Sequence, residues 1–194
     1  LPGLADGSRT AAVALGALGA TATLSGSTIS GSAGVVLGGG LASVLLVAFG
    51  DDVAVVDLSD PGVTVETPVN LDPSRRSARI TLDDTPATVL AGGAQAMLDM
   101  SRLILSADAV GIAAECTRAA AEYAKERIQF GRPIAMFQAV KHHCANMAVA
   151  TEMATAATWD AARAAATGGD QLSYTAAVAA TLAAPAADLC ANLN

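Results

Sequence analysis

Glu122-Tyr123-Ala124-Lys125-Glu126-Arg127-Ile128-Gln129-Phe130-Gly131-Arg132-Pro133-Ile134-Ala135-Met136-Phe137-Gln138 is the stretch whose reading decides the fold. Alanine-rich sequence precedes it and favours helix. Gly131 suits the left-handed position that stops a helix, and Pro133 suits the first turn of the next one. Two helices joined by a short turn are therefore expected, with Arg127 before the joint and Gln138 after it. Taken alone, Arg127 near a helix C-terminus would complement the helix dipole.

On either side of this joint the chain divides into unlike halves. Residues 1–92 are rich in Gly, Val, Thr and Ser with Pro-Gly punctuation, whereas residues 93–194 are alanine-rich with few breakers. In the first half, apolar or β-branched runs at 11–15, 21–24, 27–29, 44–49, 53–58, 63–67 and 78–82 are separated by Gly, Asp or Pro. Such short, evenly spaced runs predict an antiparallel sandwich or barrel. Asp60-Pro61-Gly62 is a turn, Pro fixing φ and Gly supplying a positive one. In the second half Met97, Met100, Ile104 and Ala107 recur at helical steps. Helices are expected over 93–130, 133–166 and from 171 to the end. Thr167-Gly168-Gly169 stops the second, and Pro185 kinks the third. The fold class predicted is α+β: a β domain (1–92) followed by an antiparallel helical bundle (93–194), the latter looking cut because the chain stops inside a helix.

Aromatics are 3% of residues and hydrophobics 53%, much of it alanine, so the helices are expected to pack through small side chains. A net charge of −7 argues against a nucleic-acid surface. Arg75, Arg76 and Arg79 are too few for polyanion binding and suit an exposed strand or turn. A mean hydropathy of +0.46 raises the question of a membrane span. The uncharged run 33–49 is interrupted by Gly38-Gly39-Gly40 and is short for a span, so strands at 35–37 and 44–49 around a glycine turn fit better. The start lacks a basic n-region, which predicts no signal peptide and a cytoplasmic location.

Cys116, Cys144 and Cys190 lack metal or redox spacing and read as buried thiols. His142 and His143, being adjacent, face different sides of a helix, so no metal site is expected. Gly38-Gly39-Gly40 has no following Lys-Ser/Thr and is no P-loop. Trp159 reads as helix packing.

The opening stretch resembles the signature of acyl-CoA dehydrogenases, in which a helix-ending Tyr-Ala-x-x-Arg-x-Gln-Phe-Gly is followed by Pro-Ile-x-x-Phe-Gln. The resemblance is tight over 98–147 and looser before. It implies a middle β domain and a C-terminal helical domain, with the family's N-terminal helical domain absent from this chain. It also implies an FAD cofactor contacted across a subunit interface by Arg127, Gln129, Phe130 and Gln138. The acyl-CoA substrate would be contacted through its CoA portion by Asp99 and Arg102, which match an Asp-x-x-Arg; read without the resemblance, the two form an i,i+3 ion pair worth a few tenths of a kcal/mol.

The family's reaction takes an α-proton with a Glu while hydride leaves the β-carbon for the flavin. Some members place that Glu just before an Arg early in the first C-terminal helix. Here Leu98-Asp99-Met100-Ser101-Arg102 puts Ser101 there, and serine has no useful basicity near neutral pH. No catalytic residue is therefore assigned. The middle domain departs too: the family's Thr-Glu-Pro-x-x-Gly-Ser-Asp and Trp-Ile-Thr-Asn segments correspond to residues 12–19 and 34–39, which keep no acid, Trp or Thr.

A kept cross-interface motif beside a degraded home cleft resembles the heteromeric acyl-CoA dehydrogenases of actinobacteria, which oxidise steroid side-chain CoA thioesters. The implied partners are an unlike subunit in a heterotetramer, with an electron-transfer flavoprotein as acceptor. The alternatives are a homotetramer whose Glu lies beyond Asn194, or a flavin-free structural or CoA-binding homologue.

Overall fold

The computed structural model describes residues 2–15 and 20–194. The chain forms two compact units, Leu1–Leu98 and Asp99–Asn194. A short helix α1 (Pro2–Ala5) precedes strands β1 (Ala11–Ala14), β2 (Thr23–Ser25), β3 (Thr28–Val36), β4 (Val44–Phe49), β5 (Asp52–Asp57), β6 (Val63–Glu66) and β7 (Ala78–Leu90). Among the described residues these make a seven-stranded sheet in the order β1-β4-β5-β7-β3-β2, with β6 also on β7.

Two features correct the sequence expectation. The first strand pairs in parallel with β4, Ala11 opposite Val44, whereas every other pair in this sheet is antiparallel. Parallel neighbours need a crossover rather than a tight turn, and β2 and β3 intervene to supply it. Second, β7 does not stop at Leu82. Residues up to Pro86 pair with β3, and Ala87–Leu90 continue against β5. Asp83-Asp84-Thr85-Pro86 looks like a turn in sequence, but the left-handed φ of 45° at Asp84 bends the strand without ending it. Alternation along the strands buries Ile29, Val36, Leu45, Val56, Ile80 and Leu82 in one core. Val35 is 42% exposed because alternation turns Val36 inward instead, and Leu37, in the turn after β3, is 46% exposed.

In the second unit, α2 (Ala94–Glu126) from Asp99 onward, α3 (Gln138–Thr167) and α4 (Leu172–Leu193) form the bundle. The expected stripe of Met97, Met100, Ile104 and Ala107 is not the face that packs, Ile104 being 62% exposed. Asp99, Leu103, Ser106, Ala113 and Ala124 are the buried positions of α2. A helix carrying apolar residues on two sides does not tell from periodicity which side meets its neighbours. Ala113, Met147, Ala154, Ala183, Ala186 and Cys190 form the main core, in keeping with close packing through small side chains. Pro185 lies inside α4, and the helix continues through it. By length and a mean hydropathy of 1.4, α4 is able to cross a membrane, although its alanine face is buried in this bundle.

Cys190 alone of the thiols is buried; Cys116 and Cys144 are partly exposed. Its sulfur lies 3.5 Å from the Thr117 hydroxyl, which itself is 3.1 Å from that of Thr151. Trp159 is 68% exposed rather than packed, beside an apolar groove lined by Ile104, Ala107 and Ala162.

Candidate functional site

The joint quoted at the outset is not a plain helix stop. Helix α2 ends at Glu126, short of the expected Phe130, and two-residue strands β8 (Ile128–Gln129) and β9 (Arg132–Pro133) form a hairpin. Ile128 is β-branched and Phe130 aromatic, both weaker helix formers than the alanines before them. Phe130 and Gly131 carry φ of 52° and 74°, the two positive values that a type I′ hairpin turn needs. Gly131 is thus left-handed as expected, but in the hairpin and not at a helix end. Pro133 closes the hairpin and leads into a 3₁₀ turn, Ile134–Met136, so that α3 starts at Gln138 instead of Pro133.

This hairpin is tied down by its neighbours. The Ile134 amide donates to the Arg127 carbonyl at 2.8 Å, and the Phe137 amide donates to the Ile134 carbonyl at 3.0 Å. Phe137 meets Phe130 edge to face, with ring centroids 6.0 Å apart and planes at 88°. The Arg132 guanidinium lies over the same Phe137 ring, 5.3 Å from its centroid. A non-glycine residue in the left-handed region costs about 1–2 kcal/mol. The ring pair, about 0.5–1.5 kcal/mol, and the cation–π contact, about 0.5–1 kcal/mol, are of the size needed to offset it.

Arg127, Gln129 and Gln138 are exposed around the hairpin, and Phe130 is 88% exposed. Among the described residues no hydrogen bond or ion pair engages the side chains of Arg127, Gln129 or Gln138. A free guanidinium, two free amides and an aromatic ring form a donor set suited to an anionic, partly aromatic group such as the pyrophosphate and ring system of FAD.

The second predicted pair lies near the other end of α2. Arg102 Nη1 is 3.6 Å from Asp99 Oδ1, the ion pair expected from i,i+3 spacing. Asp99 is only 3% exposed and also accepts a hydrogen bond from the Ser173 hydroxyl in the first turn of α4. The carboxylate thus joins α2 to the N-terminus of α4, where negative charge is favoured. Sequence reasoning missed Ser173, which stands 74 positions from Asp99. Arg102 retains partial exposure. A helical rise of 1.5 Å per residue puts the end of α2 at Glu126 about 36 Å from Arg102, and Arg127 follows it, so the structure does not bring the two predicted contacts together.

In the β unit, residues 16–19 of the segment 12–19 lie outside the described residues. Leu15, Val35 and Leu37 are partly exposed apolar side chains. Among the described residues no group of three His, Cys, Asp or Glu side chains could hold a metal, and His142 and His143 are exposed.

A family model described as "Acyl-CoA dehydrogenase, C-terminal domain" matches residues 92–193. The acyl-CoA dehydrogenase FadE34 of Mycobacterium tuberculosis (strain ATCC 25618 / H37Rv) is 43% identical over 185 residues, which cover 95% of this chain and 26% of FadE34. Among solved structures, a variant of the Tcur3481-Tcur3483 steroid ACAD has a TM-score of 0.85 and 35% identity, covering 99% of this chain and 57% of that one. A glutaryl-coenzyme A dehydrogenase in complex with glutaryl-CoA has a TM-score of 0.81 and 27% identity, covering 99% and 56%. The chain therefore spans about a quarter of the length of FadE34 and little more than half of each of these solved chains.

Proposed function

We propose, since this chain belongs to the acyl-CoA dehydrogenase family, that it is a subunit of an FAD-dependent enzyme that dehydrogenates an acyl-CoA thioester between its α and β carbons. It carries Ser101 where some members place the base, and it completes the FAD site of an unlike partner subunit in a heterotetramer. The substrate is a bulky CoA thioester of the steroid side-chain type, and an electron-transfer flavoprotein is the acceptor. The observation that carries this is the contrast within one chain: free polar side chains on the hairpin, apolar ones at Leu15, Val35 and Leu37. The distance between Arg102 and Arg127 supports assigning the hairpin to another subunit's cofactor. The likeness to a steroid ACAD named for two components supports the unlike pairing and the substrate class.

When bound, FAD accepts the hydride that leaves the β-carbon. Arg127 holds the cofactor's pyrophosphate with charge-assisted bonds, Gln129 and Gln138 donate from their amides, and Phe130 offers an apolar face. Arg102, backed by the buried carboxylate of Asp99, contacts the CoA portion of the substrate. Ser101 does not take up the α-proton, because its hydroxyl has no basicity near neutral pH, and the partner supplies that base.

Co-expression with candidate partners and flavin counting test the proposal, with one FAD per unlike pair expected. In the assembled enzyme Arg127→Ala removes a charge-assisted contact of about 1.5–3 kcal/mol, weakening FAD retention roughly ten- to hundredfold. Arg127→Lys rescues only partly, since a point charge cannot form the fork. A stable yellow homotetramer with one FAD per chain would sink the heteromeric reading. Full FAD occupancy in Arg127→Ala at sub-saturating cofactor would reduce Arg127 to a helix-end charge.

A further inference from the structure

We infer that Phe137 is a positioning residue: its ring clamps Phe130 and Arg132 and so fixes the hairpin from which Arg127 and Gln129 reach the cofactor. That the hairpin's target is FAD rests on the function proposed above; that Phe137 holds the hairpin rests on geometry alone.

With two residues in each strand, the hairpin is too short to persist by its own ladder. Its turn is also costly, because Phe130 occupies a left-handed position that Asn, Asp or Gly would take more readily. A residue that breaks a local rule while standing 88% exposed persists only when surrounding contacts over-determine it. Phe137 supplies two of those contacts through one ring. It is half-buried, extended, and immediately precedes α3, and its carbonyl accepts from the Lys141 amide at 3.1 Å. Its backbone thus leads directly into a 30-residue helix while its ring grips the turn.

The two arginines of the joint consequently divide their work. Arg132 is engaged inside the hairpin, on Phe137. Arg127 has its carbonyl fixed by the Ile134 amide and its guanidinium free. Losing the ring would leave Arg127 present but unaimed.

The test compares Phe137→Leu, Phe137→Tyr and Arg132→Gln in the chain assembled with its partner, reading amide exchange at Ile134 and FAD dissociation. Helical circular dichroism serves as the control for α3. In Phe137→Leu, exchange at Ile134 and the FAD off-rate both rise about tenfold while the helical signal is kept. Phe137→Tyr restores both, and Arg132→Gln, which removes only the cation–π contact, gives about a two- to fivefold rise in each. Ile134 exchange within twofold of wild type in Phe137→Leu would overturn the clamp, whatever the flavin does. Faster exchange with an unchanged FAD off-rate, while Arg127→Ala still sheds FAD, would overturn the positioning role. An FAD off-rate unchanged in both Phe137→Leu and Arg127→Ala, with faster exchange in the former, would instead overturn the proposed cofactor contact and leave the clamp standing.

Discussion

Replacing Ser173 or Asp99 with alanine separates a carboxylate that holds helices together from one that awaits a ligand. Asp99 is 3% exposed, pairs with Arg102 and accepts from Ser173 at the start of α4. A hydrogen bond to a charged group contributes about 1.5–3 kcal/mol, and an anion at a partly buried helix N-terminus up to about 2 kcal/mol. Against these stands a desolvation cost of several kcal/mol for a buried charge, which Asp99→Ala recovers and Ser173→Ala does not. Ser173→Ala is therefore expected to cost about 1.5–3 kcal/mol, at least as much as Asp99→Ala at about 1–2 kcal/mol. In a unit of about 100 residues this lowers the melting temperature by roughly 6–20 °C. The double variant should lose less than the sum, because the second substitution has no partner left to strand. Thermal and urea melts followed at 222 nm report the helical unit selectively. Ser173→Ala within about 0.5 kcal/mol of wild type, or strict additivity, would refute the pin and return Asp99 to the role of a ligand contact alone.

Ser101→Ala should leave turnover of the assembled enzyme within about twofold, since a hydroxyl that takes no proton contributes no transition-state interaction; a hundredfold loss with FAD and assembly intact would reverse the roles of the two subunits. Asp57 accepts from the Ser59 hydroxyl and amide and from Arg9, and these bonds, those from Ser59 foremost, hold its carboxyl below the ordinary carboxylate range. A depressed folded-state value means stabilisation that is present above the unfolded value and lost as pH falls through the folded one. Asp57→Asn should therefore shallow the acid-side loss of stability below about pH 4, and equal slopes for the two proteins between about pH 4 and pH 2 in urea titrations would disprove it.

Much was legible because it is local. Apolar, β-branched runs at 44–49 and 53–58 gave strands within a residue or two of β4 and β5, and alanine-rich runs gave all three long helices. Asp60-Pro61-Gly62 does turn, the Gly62 amide donating to Asp60 Oδ1 at 2.9 Å, but Gly62 takes no positive φ; glycine is needed there because a Cβ would run into the Asp83 carbonyl. The motif around Arg127 named the family and marked the joint. Its conformation was not legible, since helix stop and I′ hairpin both want a left-handed Gly131, and the choice falls to Phe137, several residues on.

What the sequence by itself determined is therefore the order of strands then helices, the family, and the place of the joint between the first two helices: each is carried by neighbours within a few positions, where backbone preference and side-chain period act. Tertiary structure alone decided the parallel partner of β1, the passage of β7 through Pro86, the buried face of α2 and the bond from Ser173 to Asp99. These depend on which distant groups compete best for the same hydrogen bonds and the same dry surface. That competition is settled only when the chain has closed on itself.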